Sequence, residues 1–152
     1  MDKQLDEALS IEIARSTQSS AKSCFENAYK AALATDGSIY VQGFLVFQGD
    51  PFKPVEHSWL ELVDRIVDPT FPHLKKAAQD LHYFPAHRLT LKQLTKSIEE
   101  ALEDYPEDEA LPVYGNTPYE YYGDVMLGNA DYLIAHKAAE AKCRELNRPK
   151  LS

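Results

Sequence analysis

Residues 55–70 read Val-Glu-His-Ser-Trp-Leu-Glu-Leu-Val-Asp-Arg-Ile-Val-Asp-Pro-Thr, and the fold turns on how they pair. Val55 to Leu62 predicts a strand whose alternation puts His57, Trp59 and Glu61 on one face. Ile66-Val67-Asp68 predicts a short partner strand, ended by Pro69 and Pro72. A two-residue turn at Val63-Asp64 sets His57 opposite Thr70. Asp68 is then its diagonal neighbour on the same face, within side-chain reach. A turn one residue longer sends Asp68 to the opposite face. Upstream, residues 38–47 (Ser-Ile-Tyr-Val-Gln-Gly-Phe-Leu-Val-Phe) predict a long strand, broken by Gly49-Asp50-Pro51. Gly43 within it allows a close backbone approach or a bulge.

Helices flank these strands. Residues 3–15 carry Leu5, Leu9, Ile11, Ile13 and Ala14 among charges and predict an amphipathic helix. Residues 16–22 are a loop by composition. Ser23-Cys24-Phe25-Glu26 has capping-box spacing and opens a helix through Ala28, Tyr29, Ala31, Ala32 and Leu33, stopped by Asp36-Gly37. Downstream, His82-Tyr83-Phe84 is a fourth strand cut short by Pro85. Thr90-Leu91-Lys92-Gln93 is a second capping-box spacing ahead of the stripe Leu91, Leu94, Ile98, Leu102. Residues 103–110 form an acidic, solvated turn. Thr117-Pro118-Tyr119-Glu120 predicts another helix start, running to about Leu146 with a bend at Gly123 or Gly128. The order implies an α+β fold: a helix bearing Cys24 packed on a small antiparallel sheet, with additional C-terminal helices. It reads as one domain over residues 1–152, with a catalytic-like core at about 16–72 and a helical part at about 88–148.

Composition narrows the function classes. A chain of about 150 residues buries roughly 70% of its unfolded surface and needs no metal or disulfide to make a core. Sixteen Lys and Arg against 24 Asp and Glu give a formal charge of −8, with no basic face for nucleic acid. Cys24 and Cys143 are too few for a disulfide framework or a cysteine-based zinc site. No apolar run approaches the roughly 18 to 20 residues of a membrane span. The start of the chain lacks signal-peptide pattern, so a cytoplasmic location and no membrane partner are expected.

Cys24 opens a predicted helix, where unpaired amide hydrogens and the helix dipole favour a thiolate. A thiolate attacks carbonyl carbon; a small buried residue at a helix start is the plainer reading. His57 adds a base and Asp68 a carboxylate to orient it, if the hairpin register holds. The Cys24 backbone amide supplies one oxyanion donor. Gln18, six residues earlier, supplies a side-chain amide or is simply an exposed loop residue. Trp59 packs beside the site, shields it and is a candidate substrate contact. Cys143 has no His or Asp nearby in sequence and reads as structural or as a spare thiol. Tyr114, Tyr119, Tyr121 and Tyr122 read as core packing, with Tyr119 the candidate substrate contact. His73, His82 and His87 match no common zinc spacing, and no cofactor is expected.

In their order, Cys24 at a helix start, His57-Ser58-Trp59 on a strand and Asp68-Pro69-Thr70 on the next resemble the papain-like and transglutaminase-like cysteine enzymes. Gln18 is similar to the oxyanion-hole glutamine of papain-like peptidases. The resemblance covers about residues 18–71. It implies a helix packed on an antiparallel sheet, with Cys, His and Asp meeting at the seam. It further implies acyl transfer on a peptide, protein or small amide, by hydrolysis, deamidation or amine transfer. Phe25 follows Cys24 where papain has Trp, a departure that points away from ordinary endopeptidase activity. The alternative is a catalytically silent protein-binding or regulatory domain on the same scaffold.

Overall fold

The computed structural model describes residues 3–47, 53–107, 110–111, 120–122, 125–127 and 130–147. In chain order the elements are β1 (Gln4–Leu5), α1 (Glu7–Thr17), α2 (Cys24–Ala34), β2 (Ile39–Phe47), β3 (Lys53–Glu61), β4 (Arg65–Val67), α3 (Phe71–Leu74), β5 (His82–Thr90), α4 (Leu91–Asp104), β6 (Glu120–Tyr122), β7 (Val125–Leu127) and α5 (Ala130–Asn147). This is an α+β architecture in which the helix opened by Cys24 accompanies a five-stranded sheet of order β1-β4-β3-β2-β5. Strands β6 and β7 form a separate two-stranded sheet.

The chain forms two compact units. The first is Met1–Gln42, Ser58–Lys75 and Arg88–Val113; the second is Gly43–His57, Lys76–His87 and Tyr114–Ser152. In the first unit, Ile13 of α1 and Ala31 and Ala32 of α2 pack on Leu60 and Val67. Ala28 and Leu94 close on Tyr40. Small residues on the buried stripe of α2 let the helix lie close to the strands. In the second unit, α5 lays Tyr132, Ala135, Ala139 and Cys143 against Phe44 and Val46. The Phe44 and Tyr132 rings meet edge to face at 5.2 Å.

Five sequence expectations change. The first helix begins at Glu7, because Asp6 caps it: the Asp6 carboxylate accepts the Leu9 amide at 2.9 Å. Residues 4 and 5 instead pair parallel to β4, as Gln4↔Arg65 and Leu5↔Ile66, so the sheet is mixed rather than antiparallel. Ser23 precedes α2 but makes no side-chain cap hydrogen bond. Its φ of −131° and ψ of 47° lie outside the extended region from which a cap reaches the first turn. Thr90, at φ −67° and ψ 163°, does close a capping box with Gln93.

The fourth strand does not stop at Pro85 but runs to Thr90. It is an edge strand, where a missing amide hydrogen costs no ladder bond. Gly43 admits it: a Cβ there would lie 3.0 Å from Ala86 N and Pro85 Cα, and closer still to the Phe84 carbonyl oxygen. In place of the helix expected from Thr117, residues 120–122 and 125–127 are strands β6 and β7, which pair as Tyr121↔Met126 and Tyr122↔Val125. Aromatic and β-branched residues on both sides of Gly123-Asp124 favour extended chain. The helix begins only at Ala130.

Candidate functional site

The β3–β4 hairpin has the short turn. Leu60 pairs with Val67 and Glu61 with Ile66, and the Leu62 amide donates to the Arg65 carbonyl at 2.8 Å. Leu60 and Val67 therefore face α1 and α2. Trp59, fully buried, faces the other way, and the register continued one residue sets Asp68 opposite it.

Asp68 is fully buried at the end of β4. Its amide donates to Ser10 Oγ at 3.0 Å, and Ser10 Oγ in turn donates to the Asp6 carbonyl at 2.6 Å. Its carboxylate Oδ1 accepts the Thr70 amide at 2.9 Å. Residues 68–70 thus form a hydrogen-bonded turn that carries the chain round the end of β4 toward the α2 side. There Thr70 Oγ1 accepts from Asn27 Nδ2 at 3.0 Å.

Cys24 is the first residue of α2 and half-buried. Ser23 leaves the first-turn amides uncapped by its side chain, and N–H groups at a helix start point outward along the axis. One turn on, Asn27 is 2% exposed. Besides Thr70, its carboxamide grips the incoming loop, accepting from the Ser20 amide at 3.0 Å and donating to the Ser20 carbonyl at 2.7 Å. Loop 18–23, the Cys24 turn and the Asp68 turn are joined through this one side chain.

Gln18 ends α1 in the left-handed region at φ 56°, with its backbone amide directed at the Ala14 and Arg15 carbonyls. Its side chain is exposed. Beside it, the His73 ring nitrogen Nε2 lies 3.0 Å from both Ser19 Oγ and Ser19 O, pinning the same loop.

His57 lies in the second unit and is 3% exposed. Its ring sits 6.4 Å from that of Tyr83. On the strand face opposite His57, Glu56 accepts a short hydrogen bond from the Tyr132 hydroxyl. His87 stacks on Tyr132 with ring centres 4.9 Å apart, and burial holds its imidazole below the usual range. Burial, with help from Lys142, does the same to His82.

Glu61, at the far end of β3, is buried with Arg88 and Lys3 bonded to it at 3.0 and 3.2 Å. Burial pushes its carboxyl up, but the two cations together hold it below its ordinary value. Burial raises the Cys143 thiol, which sits in the α5 core. Among the described residues no group of three or more His, Cys, Asp or Glu could hold a metal ion, and no helix is long and apolar enough to cross a membrane. Tyr119 lies outside the described residues.

Asn27 and Ser10 carry no motif, and only their placement shows their importance. One signal was present: Asn27 adjoins Ala28, Ala31 and Ala32 on the apolar stripe of its helix, where a polar side chain requires partners. Comparison with protein-family models, curated proteins and solved structures finds no match.

Proposed function

We propose that the chain is a cysteine-dependent acyl-transfer enzyme with Cys24 as nucleophile, His57 as general base and acid, and Asp68 as the carboxylate that orients His57. In this reading it is related to the papain-like and transglutaminase-like superfamily, and works on an amide of a peptide, a protein or a small molecule. The observation that carries it is the buried Asp68 turn bonded, through Thr70 and Asn27, to the helix that Cys24 opens. The short hairpin turn supports it too, since it gives Asp68 the strand face that alternation assigns to His57 and Trp59.

The chemistry follows in two balanced steps. His57 takes the Cys24 proton, and the sulfur attacks the amide carbon to form a C–S bond. The resulting oxyanion is met by the Cys24 backbone amide, with the Gln18 carboxamide as second donor. His57 then protonates the leaving nitrogen as the C–N bond breaks. Water or an amine attacks the thioester, His57 takes its proton, and the C–S bond breaks with the proton returned to sulfur.

Iodoacetamide labelling tests this, with the two cysteines separated by peptide mass. Cys24 should react at pH 6 in the native protein, and His57→Gln should suppress that reaction while leaving the far-ultraviolet circular dichroism unchanged. Labelling of Cys24 that is slow at pH 6 and indifferent to His57 would leave the scaffold as a binding domain.

A further inference from the structure

We propose that Asn27 is a positioning residue, holding the Cys24 turn of α2 in fixed relation to the Asp68 turn. The inference rests on the acyl-transfer reading and adds to it a residue that acts through the groups it holds.

The geometry is specific to a carboxamide. Asn27 Oδ1 meets a donor, the Ser20 amide, while Nδ2 meets two acceptors, the Ser20 carbonyl and Thr70 Oγ1. A carboxylate would set oxygen against the Ser20 carbonyl, and an apolar residue of equal size would remove all three bonds and leave the buried Thr70 hydroxyl without this partner. Thr70 is the second half of the device, because its amide donates to Asp68 Oδ1 while its hydroxyl takes the Asn27 bond. A shift of Asn27 is therefore transmitted to the carboxylate through two hydrogen bonds. Position matters as well. Asn27 follows Cys24 by three residues, so the two lie one above the other on the helix, and the contact fixes the end of α2 that Cys24 occupies. The later turns of that helix, at Ala31 and Ala32, are fixed by packing on Leu60 and Val67 instead. Packing of small apolar groups tolerates sliding; a carboxamide with three partners does not.

Thr70→Val separates this role from folding. It keeps shape and backbone amide, and leaves both Asn27–Ser20 bonds in place. The readout is the pH profile of Cys24 alkylation in the full chain, with thermal unfolding recorded alongside. Thr70→Val should slow Cys24 labelling at pH 6 by about tenfold and move the profile toward that of an ordinary thiol. Thr70→Ser should restore it to within about twofold, since the hydroxyl is what Asn27 needs. Asn27→Asp should behave as Thr70→Val does; if it does not fold, the Thr70 pair decides. A native profile that depends on His57 but is unchanged in Thr70→Val overturns the positioning role and leaves the acyl-transfer reading standing. A native Cys24 that is not activated at all overturns both.

Discussion

Glu61 stands directly opposite Ile66 across the β3–β4 hairpin, and that pairing fixes the face of every neighbour on the two strands. It turns Leu60 and Val67 to the helices and sets Asp68 against Trp59. The proposed function would give Asp68 a chemical duty besides its structural one, and the two are separable. Asp68→Asn keeps an oxygen for the Thr70 amide, so the melting temperature should move by no more than about 3 °C, the scale of a sub-kilocalorie change. If Asp68 orients His57 as proposed, Cys24 labelling at pH 6 should nonetheless fall by about tenfold, because the orienting negative charge is gone. Asp68→Ala strands the buried Thr70 amide and should cost about 1–3 kcal/mol in urea unfolding. Equal stability losses in the two variants would assign Asp68 a purely structural place.

Ser23 and Thr90 make a controlled comparison of two similar sequence signals. Thr90→Ala should destabilise by about 1 kcal/mol, since it removes the bond to the Gln93 amide that opens α4. Ser23→Ala should change stability by less than about 0.5 kcal/mol, because that side chain makes no cap bond. Denaturant titration of the two variants checks both values.

Gly43 is where a side chain has no room. Its constraint is spatial, set by the backbone of Phe84, Pro85 and Ala86 on the neighbouring edge strand. Gly43→Ala should cost about 1–3 kcal/mol, through displacement of β5. Gly37 is the contrasting site: nothing lies within 4 Å of a Cβ there, and its φ of 75° is what favours glycine. Thermal melts of Gly43→Ala and Gly37→Ala, with β5 amide exchange followed in Gly43→Ala, distinguish crowding from backbone strain.

Strands β2 to β5 and helices α2 and α4 were legible because alternation and helical periodicity show within a few residues, while turn length left two hairpin registers, of which the shorter turn holds. The rest depends on distant partners. Two-residue β1 has no pattern of its own and exists because Asp6 and Ile66 bond at its end. Strand β5 survives Pro85 only because it lies at the sheet edge. The tyrosines at 121 and 122 suit helix or strand, and pairing with β7 decides between them. No local pattern in the sequence gives Asn27 a role. Its meaning depends on how Ser20 and Thr70, seven and forty-three residues away, return to it. Hydrogen bonds of that reach leave no periodic mark on a sequence.

His87 supplies the pH dependence. Its imidazole is stacked on Tyr132, its Nε2 is buried without a hydrogen-bond partner among the described residues, and burial lowers its proton affinity below the ordinary 6.5. Asp131 pulls in the opposite direction and only partly offsets the burial. His82 is displaced the same way. The unfolded chain therefore binds protons at these two positions at a higher pH than the folded chain does. Stability is full above the ordinary histidine value and falls as the pH drops through 6.5 toward the lowered folded values. Melting temperature should decline between about pH 7 and pH 5, and His87→Phe, which keeps the ring against Tyr132, should flatten that decline. Glu61 contributes at lower pH: its depressed carboxyl stabilises above the ordinary 4.5 and loses that contribution as the pH falls further. A decline that begins only below pH 5, unaffected by His87→Phe, would assign the acid sensitivity to carboxylates such as Glu61 and remove it from the α5 core.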